Sequence, residues 1–335
     1  MKYDWFIGID VSKMTLDFNL SHHSSSLIHL QVDNTKKGIN FFLATCKKLK
    51  VQFDKTLFCL EYTGIYNETL VKVLNEKKMN IWVEQGLQIK KSLGMTRGKS
   101  DKVDALRISE YAYRFQDKCR LWHAPSQALK MLKNLVALRN RLIKAKKLLK
   151  VPVKELVECS SDKKSISFIT RLNNPVVDSL NNQLIAVEKQ INELIKQDER
   201  LLKLKKIITS VDGVGPVTAW AMIIATNQFQ SIRDGRKFAC YAGVVPFDHQ
   251  SGTSIKGKPR LSQFANKNMK QLLHLSALSA TVMKGELNEY YQRKVAQGKN
   301  KMLVLNNIRN KLVLRIFACV NQNRKYEKSY THQLA

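Results

Sequence analysis

Hydrophobic and polar positions in the first 120 residues change over in short bursts. Phe6-Ile7-Gly8-Ile9 is a compact apolar run that stops at Asp10, and Leu16, Phe18 and Leu20 alternate with polar neighbours, the period of a half-buried strand. Leu27 to Val32 reads as a third strand, which makes the start of the chain an antiparallel meander. Lys36 to Leu49 has helical spacing, with Ile39, Phe42, Leu43 and Cys46 on one face, and Thr56 to Leu60 is a further apolar strand ending at Glu61. Ile65 to Leu74 predicts a helix and Asn80 to Val83 a strand. Asp101 to Phe115 predicts a helix carried by Val103, Leu106, Ile108, Tyr111 and Ala112. The expectation for residues 1–122 is an α/β domain.

The middle of the chain has a different period. Met131, Leu135, Leu138, Leu142, Ala145 and Leu149 recur at alternating steps of four and three. Val177, Leu180, Leu184, Val187, Ile191, Leu194, Asp198 and Leu201 do the same, with Asp198 the one polar member. Pro125, Pro152 and Pro175 are expected at helix starts or breaks, where proline is tolerated. Two long helices over 123–205 then either pair within one chain or form a coiled coil between chains. Residues 206–335 are expected to be mainly α. There Val211-Asp212-Gly213-Val214-Gly215-Pro216 makes a tight turn before an apolar helix from Thr218 to Ala225, and Pro246 to Lys258 reads as a polar, glycine-containing loop. The glycines of the turn would let backbone N–H groups approach a phosphate at the helix N-terminus; the plainer reading is a helix–helix corner.

Charge turns this outline toward a polyanion. Lys and Arg number 57 against 27 Asp and Glu, a formal net charge of +30. The excess is +7 over residues 1–120 and +23 over the remainder, and two stretches, Lys130–Lys150 and Arg293–Arg315, carry eight and seven basic residues with no acid. Such stripes are the footprint of phosphate-backbone binding. A hydrophobic content of 44% excludes wholesale disorder. Six scattered cysteines with no CxxC fit neither a disulfide scaffold nor a zinc ribbon and suggest a reducing compartment. Neither a signal peptide nor an apolar run of membrane-spanning length is read, so a cytoplasmic protein with no membrane partner is expected.

Four carboxylates stand out by position. Three strands, helix, strand, helix, strand, helix is the order of an RNase H-like sheet, in which the first and fourth strands lie side by side. Asp10 ends the first and Glu61 the fourth, so the two would meet, while Asp101 and Asp104 share one face of a helix. Converging carboxylates repel unless a hard divalent cation neutralises them, and Mg2+ (or Mn2+) suits such oxygen ligands and bridges phosphate. The bland alternative is that Asp104 and Glu61 are ordinary surface acids and Asp101 is an N-cap after Ser100. Gly94 to Ser100 mimics a phosphate-binding P-loop but has one residue too few between its glycines, and His22-His23 lacks metal-ligand spacing. Ser251, before Gly252, is a candidate nucleophile, with Lys256 and Lys258 near it in sequence.

Taken together, the residues resemble one family: the DEDD-type insertion-sequence transposases related to the Piv invertases, whose characterised members are bridge-RNA-guided recombinases. The resemblance rests on Phe6 to Lys13, Glu61-Tyr62-Thr63-Gly64, Lys99 to Ala105, Val211 to Ala219, Tyr241 to Pro246 and Gln250-Ser251-Gly252. Two departures are Ala265 before Asn266, where the family usually has glycine, and Lys270, where it usually has arginine. The resemblance implies an RNase H/RuvC-like domain over 1–122, a helical coiled-coil assembly region over 123–205, and a C-terminal transposase domain over 206–335. It implies that Asp10, Glu61, Asp101 and Asp104 bind the metal and that Ser251 attacks DNA to give a phosphoserine intermediate. A serine-bearing domain of one subunit then completes the carboxylate site of another in a homo-oligomer, dimer or tetramer. A structured bridge RNA pairs with donor and target DNA, so that base pairing selects sequence while the protein holds shape and backbone. Lys144, Lys146, Lys147, Lys150, Lys256, Lys258 and Arg260 are the expected nucleic-acid contacts.

Three functions compete at this point. A recombinase uses both the tetrad and Ser251; a structure-specific nuclease of the Holliday-junction type uses the tetrad with water as nucleophile; a non-enzymatic nucleic-acid-binding protein needs neither. All four carboxylates being present argues against the last.

Overall fold

The computed structural model describes residues 2–92, 94, 100–251, 255–262 and 265–327. It divides into two compact units, Met1–Ala124 and Pro125–Ala335. In the first, β1 (Trp5–Val11), β2 (Thr15–His22) and β3 (Ser25–Asp33) form the expected meander, followed by α1 (Lys36–Lys48), β4 (Thr56–Glu61), α2 (Glu68–Glu76), β5 (Asn80–Glu84), α3 (Gly86–Ser92) and α4 (Asp101–Arg114). The sheet order is β3-β2-β1-β4-β5, with β1 antiparallel to β2 and parallel to β4. This is the RNase H-like arrangement that the element order predicts.

Strand alternation divides the side chains of this sheet between two layers. Ile7, Ile9, Leu16, Phe18, Leu20, Phe58 and Leu60 pack under α1 and α2. Phe6, Leu57, Cys59 and Trp82 face α4, against Ile108, Tyr111 and Ala112. β2 departs from the half-buried expectation, because its polar positions are buried too: Asp17, Asn19 and Ser21 are all under 5% exposed. Asn19 donates to Ser21 and to Ser109 of α4, and Asp17 accepts from Gln31, so the polar face is satisfied internally.

The second unit opens with α5 (Gln127–Cys159) and α6 (Lys163–Gln197). These pair within the chain as an antiparallel hairpin: Arg139 reaches Glu188 at 2.6 Å, and Asn173 donates to the Leu149 carbonyl at 3.2 Å. Most of the α6 seam is as expected, with Val177, Val187 and Ile191 buried. On α5 the seam shifts: Leu129 and Leu132 are buried while Met131 and Leu138 are exposed. Asp198 ends the second seam, since it closes α6 and caps α7 (Glu199–Ile208), accepting from the Leu201 N–H at 2.8 Å. Pro152 and Pro175 correct the expectation of helix breaks, because both lie inside their helices. Each costs a rung of the ladder, about 3 kcal/mol, which the seam packing outweighs.

The unit continues through α8 (Pro216–Ala225), α9 (Gly235–Tyr241), β6 (Pro246–Ser251), β7 (Ile255–Leu261), α10 (Lys267–Val282), α11 (Glu286–Ala296) and α12 (Lys301–Asn321). One apolar core joins the base of the α5/α6 hairpin to α7–α12. Pro246 to Lys258 is not a loop: β6 and β7 form an antiparallel hairpin, with Ser251 opposite Ile255. Backbone pairing replaces the apolar alternation that the sequence lacks there. Among the described residues, no helix is long and apolar enough to cross a membrane.

Candidate active site

Asp10 sits near the end of β1, on the face of the sheet that α4 covers. Phe6, Gly8 and Asp10 share that face, and Gly8 decides how near α4 comes. A Cβ there would lie 2.1 Å from the Ala105 carbonyl oxygen. The helix backbone thus rests directly on β1, and the start of α4, with Asp101 and Asp104 in its first turn, is set beside Asp10. Ser100 fixes the helix start, its hydroxyl accepting from the Val103 N–H at 3.3 Å. Ser100, not Asp101, is the cap.

Asp10 feels the charges of the other two aspartates. Burial pushes the Asp10 carboxyl up to about 6, and the charges of Asp101, Asp104 and Asp17 push the same way, against one backbone N–H at Val11. Asp104 is partly answered by Arg107 at 3.0 Å. Asp17 is the cross-strand partner of Asp10, held by His29 at 2.8 Å and Gln31 at 3.0 Å. No sequence pattern points to Asp17, which reads there as the solvent side of a strand.

Glu61 ends β4, one strand over on the same face. It is not among the charges acting on Asp10; its carboxylate lies over Gly86, where a Cβ would approach to 1.8 Å. Glu84 ends β5 in register with Glu61 and accepts from the Gln85 N–H at 2.8 Å and the Tyr111 hydroxyl at 3.4 Å. The structure thus gathers Asp10, Asp101 and Asp104, with Glu61 on the adjacent strand. Among the described residues no three His, Cys, Asp or Glu side chains are set to hold a metal ion as they stand. The donor chemistry nonetheless fits a hard divalent cation: all-oxygen ligands, a cluster of negative charge that Arg107 answers only in part, and a desolvated carboxyl at its centre.

The other expected residues lie in the second unit. Ser251 ends β6, and Lys256, Lys258 and Arg260 occupy alternate positions of β7; the side chains of these four lie outside the described set. Lys144, Lys147 and Lys150 are exposed on α5 and Lys146 is half-buried. Gly213, at φ +83°, packs on the Ser276 carbonyl, whereas Gly215 opens to solvent at the start of α8. Ala265 fits because Gly243 has no side chain, a Cβ there lying 2.4 Å from that of Ala265. Gly94 and Ser100 bound the P-loop mimic, and the residues 95–99 between them lie outside the described set.

Residues 7–158 match the model of the DEDD transposase domain of IS110, and residues 205–292 match the model described as Transposase IS116/IS110/IS902 family. The chain is 23% identical to the pilin gene-inverting protein of Moraxella bovis over 328 residues, covering 96% of this chain and 98% of that one. It is 31% identical to the insertion element IS110 uncharacterized 43.6 kDa protein of Streptomyces coelicolor over 155 residues, 45% of this chain and 38% of that protein. A solved structure of T. thermophilus RuvC in complex with a Holliday junction substrate aligns with 36% of this chain and 100% of its own, at 15% identity and a TM-score of 0.28.

Proposed function

Since the chain belongs to the IS116/IS110/IS902 family of transposases, enzymes that cut and rejoin DNA, we propose that it does so with four carboxylates and one serine. Asp10, Glu61, Asp101 and Asp104 would hold Mg2+ or Mn2+, and Ser251 would be the nucleophile. The observation that carries this reading is the crowding of Asp10 against Asp101 and Asp104 in the first turn of α4. A bound divalent ion would neutralise charge building on the oxygens of the scissile phosphate. Ser251 Oγ bonds to phosphorus as the phosphorus–sugar oxygen bond breaks, and the serine proton ends on the departing sugar oxygen. The bond energy stays in the phosphoserine, so the reverse attack reseals a strand without outside energy.

Two further features support rejoining and assembly. The similar Moraxella protein is named for inverting a gene, and inversion requires joining as well as cutting, which favours recombination over hydrolysis. Phe168, Leu172 and Val176 form an exposed apolar stripe on α6, with Leu148 and Val151 exposed on α5, a surface suited to a second copy. That copy would bring its serine to this chain's carboxylates. The net charge of +30 and the lysines of α5 suit a structured guide RNA as well as donor and target DNA. The place of action is then the bacterial cytoplasm, at the nucleoid.

The test uses a nicked suicide DNA and the family's guide RNA. The unmodified chain is expected to become covalently attached to DNA, with the adduct mapping to Ser251. Ser251→Ala should lose both cutting and adduct while binding nucleic acid. Mg2+-dependent cutting by Ser251→Ala, with no adduct in the unmodified chain, would instead assign a nuclease that uses water.

A further inference from the structure

Seven basic residues occupy the acid-free stretch Arg293–Arg315, and one of them is unlike the rest. Arg315 pairs with Glu286 and lies over the Tyr326 ring; Arg293 and Lys311 lie over Tyr290; Lys294 donates to Gln297. Lys299 and Lys301 stand in solvent. Arg309, on α12, is 6% exposed, and its Nε is buried with no hydrogen-bond partner among the described residues.

Its surroundings are orphaned in the same way. His274 of α10 is close enough for the Arg309 charge to add to the burial that holds its pKa down, and its Nδ1 has no partner. Asn306, one turn before Arg309, donates to the Val244 carbonyl at 2.8 Å, but its Oδ1 has no partner. Lys270, one turn before His274, brings its Cδ to within 3.8 Å of where a Cβ on Gly243 would be. Of the seven buried side-chain polar atoms that lack a partner among the described residues, three fall in this one place. Burial pulls the Arg309 pKa down, and among the described residues no carboxylate acts against it. A guanidinium nitrogen withdrawn from water and left unpaired is costly, and an anion at that edge would supply the missing acceptor.

We propose that Arg309, with His274, Asn306 and Lys270 around it, forms a notch that takes one phosphodiester of the bound nucleic acid. Val244 and Gly243 put the notch at the root of the β6/β7 hairpin. From Pro246 to Ser251 the strand runs five residues, about 17 Å at 3.3–3.4 Å each. The phosphate held is therefore not the one cut. That last statement rests on Ser251 being the nucleophile; the notch itself does not. The guanidinium fork suits two phosphate oxygens, as a lysine would not. The notch would clamp the backbone at a fixed distance from the serine.

The test is binding by the full chain to duplex DNA, single-stranded DNA and structured RNA across a salt series. Arg309→Met replaces the buried cation with an apolar side chain of similar reach. In at least one of the three series it should weaken binding roughly tenfold and lower the slope of log K against log salt by about one. The series that changes names the strand in the notch. Lys154→Met, at an exposed ion pair on α5, serves as the charge control and should change neither quantity. A second measurement compares the two chains: inorganic phosphate should raise the melting temperature, relative to chloride at equal ionic strength, more for the unmodified chain than for Arg309→Met, the general salt effect being common to both. Unchanged affinity and slope in all three series, or an equal phosphate effect on the two melts, overturns the notch. Ser251→Ala separates the two readings, because loss of the adduct proposal would leave the Arg309→Met slope change standing.

Discussion

A Cβ on Gly8 would lie 2.2 Å from the backbone nitrogen of Ser109. Gly8→Ala should therefore push α4 away from β1, and with it Asp101 and Asp104 away from Asp10. Overpacking of this kind costs about 1–3 kcal/mol. Strand cutting should fall far more than the melting temperature, and Mg2+ should no longer stabilise the variant in a thermal melt. Full activity in Gly8→Ala would mean that the close approach does not set the site.

Asp10 makes stability depend on pH in a stated direction. Its folded pKa, about 6, lies above the ordinary aspartate value of 3.8, so the ionised form is disfavoured by folding. The protein loses stability as pH rises from 3.8 toward 6, and the loss is complete above 6. Asp10→Asn in chelator should melt higher than the unmodified chain at pH 7.5, by about 1 kcal/mol once solvent screening is allowed for, and equally at pH 3.5. Excess Mg2+ should reverse the order at pH 7.5. Equal melts at both pH values in chelator would remove the crowding argument.

The basic stripe on α5 should show in salt dependence. Changing Lys144, Lys147 and Lys150 together to glutamine should weaken nucleic-acid binding. The slope of log K against log salt should flatten by roughly 0.9 for each duplex phosphate that the variant no longer neutralises. An unchanged slope returns these lysines to the solvent.

Assembly is better probed outside the seam than within it. Ile191 is fully buried inside the chain's own hairpin, so lysine there should unfold the second unit. Phe168→Glu with Leu172→Glu changes exposed positions. This pair should leave the melting temperature within about 0.5 kcal/mol of stability while sedimentation moves to the monomer. A monomeric unmodified chain, bound to nucleic acid, would sink the assembly claim.

The reach of the sequence is set by range. Asp10 and Glu61 are legible because each stops an apolar run, and Asp101 and Asp104 because helical spacing puts them on one face. The closeness on which the candidate site rests depends on Gly8 meeting Ala105 and on Gly86 meeting Glu61, approaches between positions that no local pattern links. Asp17 and Asn19 alternate with apolar residues as exposed positions do, yet both are buried, since Gln31 and Ser109 satisfy them from other elements. The β6/β7 hairpin reads as a loop because its strands are polar throughout. Arg309 is hidden among six other basic residues of its stretch, and only burial sets it apart.

Pro152 and Pro175 lie inside the two arms of the α5/α6 hairpin. The contact of Asn173 with the Leu149 carbonyl ties the arms together two residues before Pro175 and three before Pro152. Each proline removes a backbone N–H from its own helix, so both arms are weakened close to the point where Asn173 holds a carbonyl of the other arm. The part of the hairpin beyond the two prolines carries Phe168 and Leu172, while its base is seated in the core of the second unit. On the proposed assembly, a second copy held by that part would stand beyond the weakest rungs of both helices.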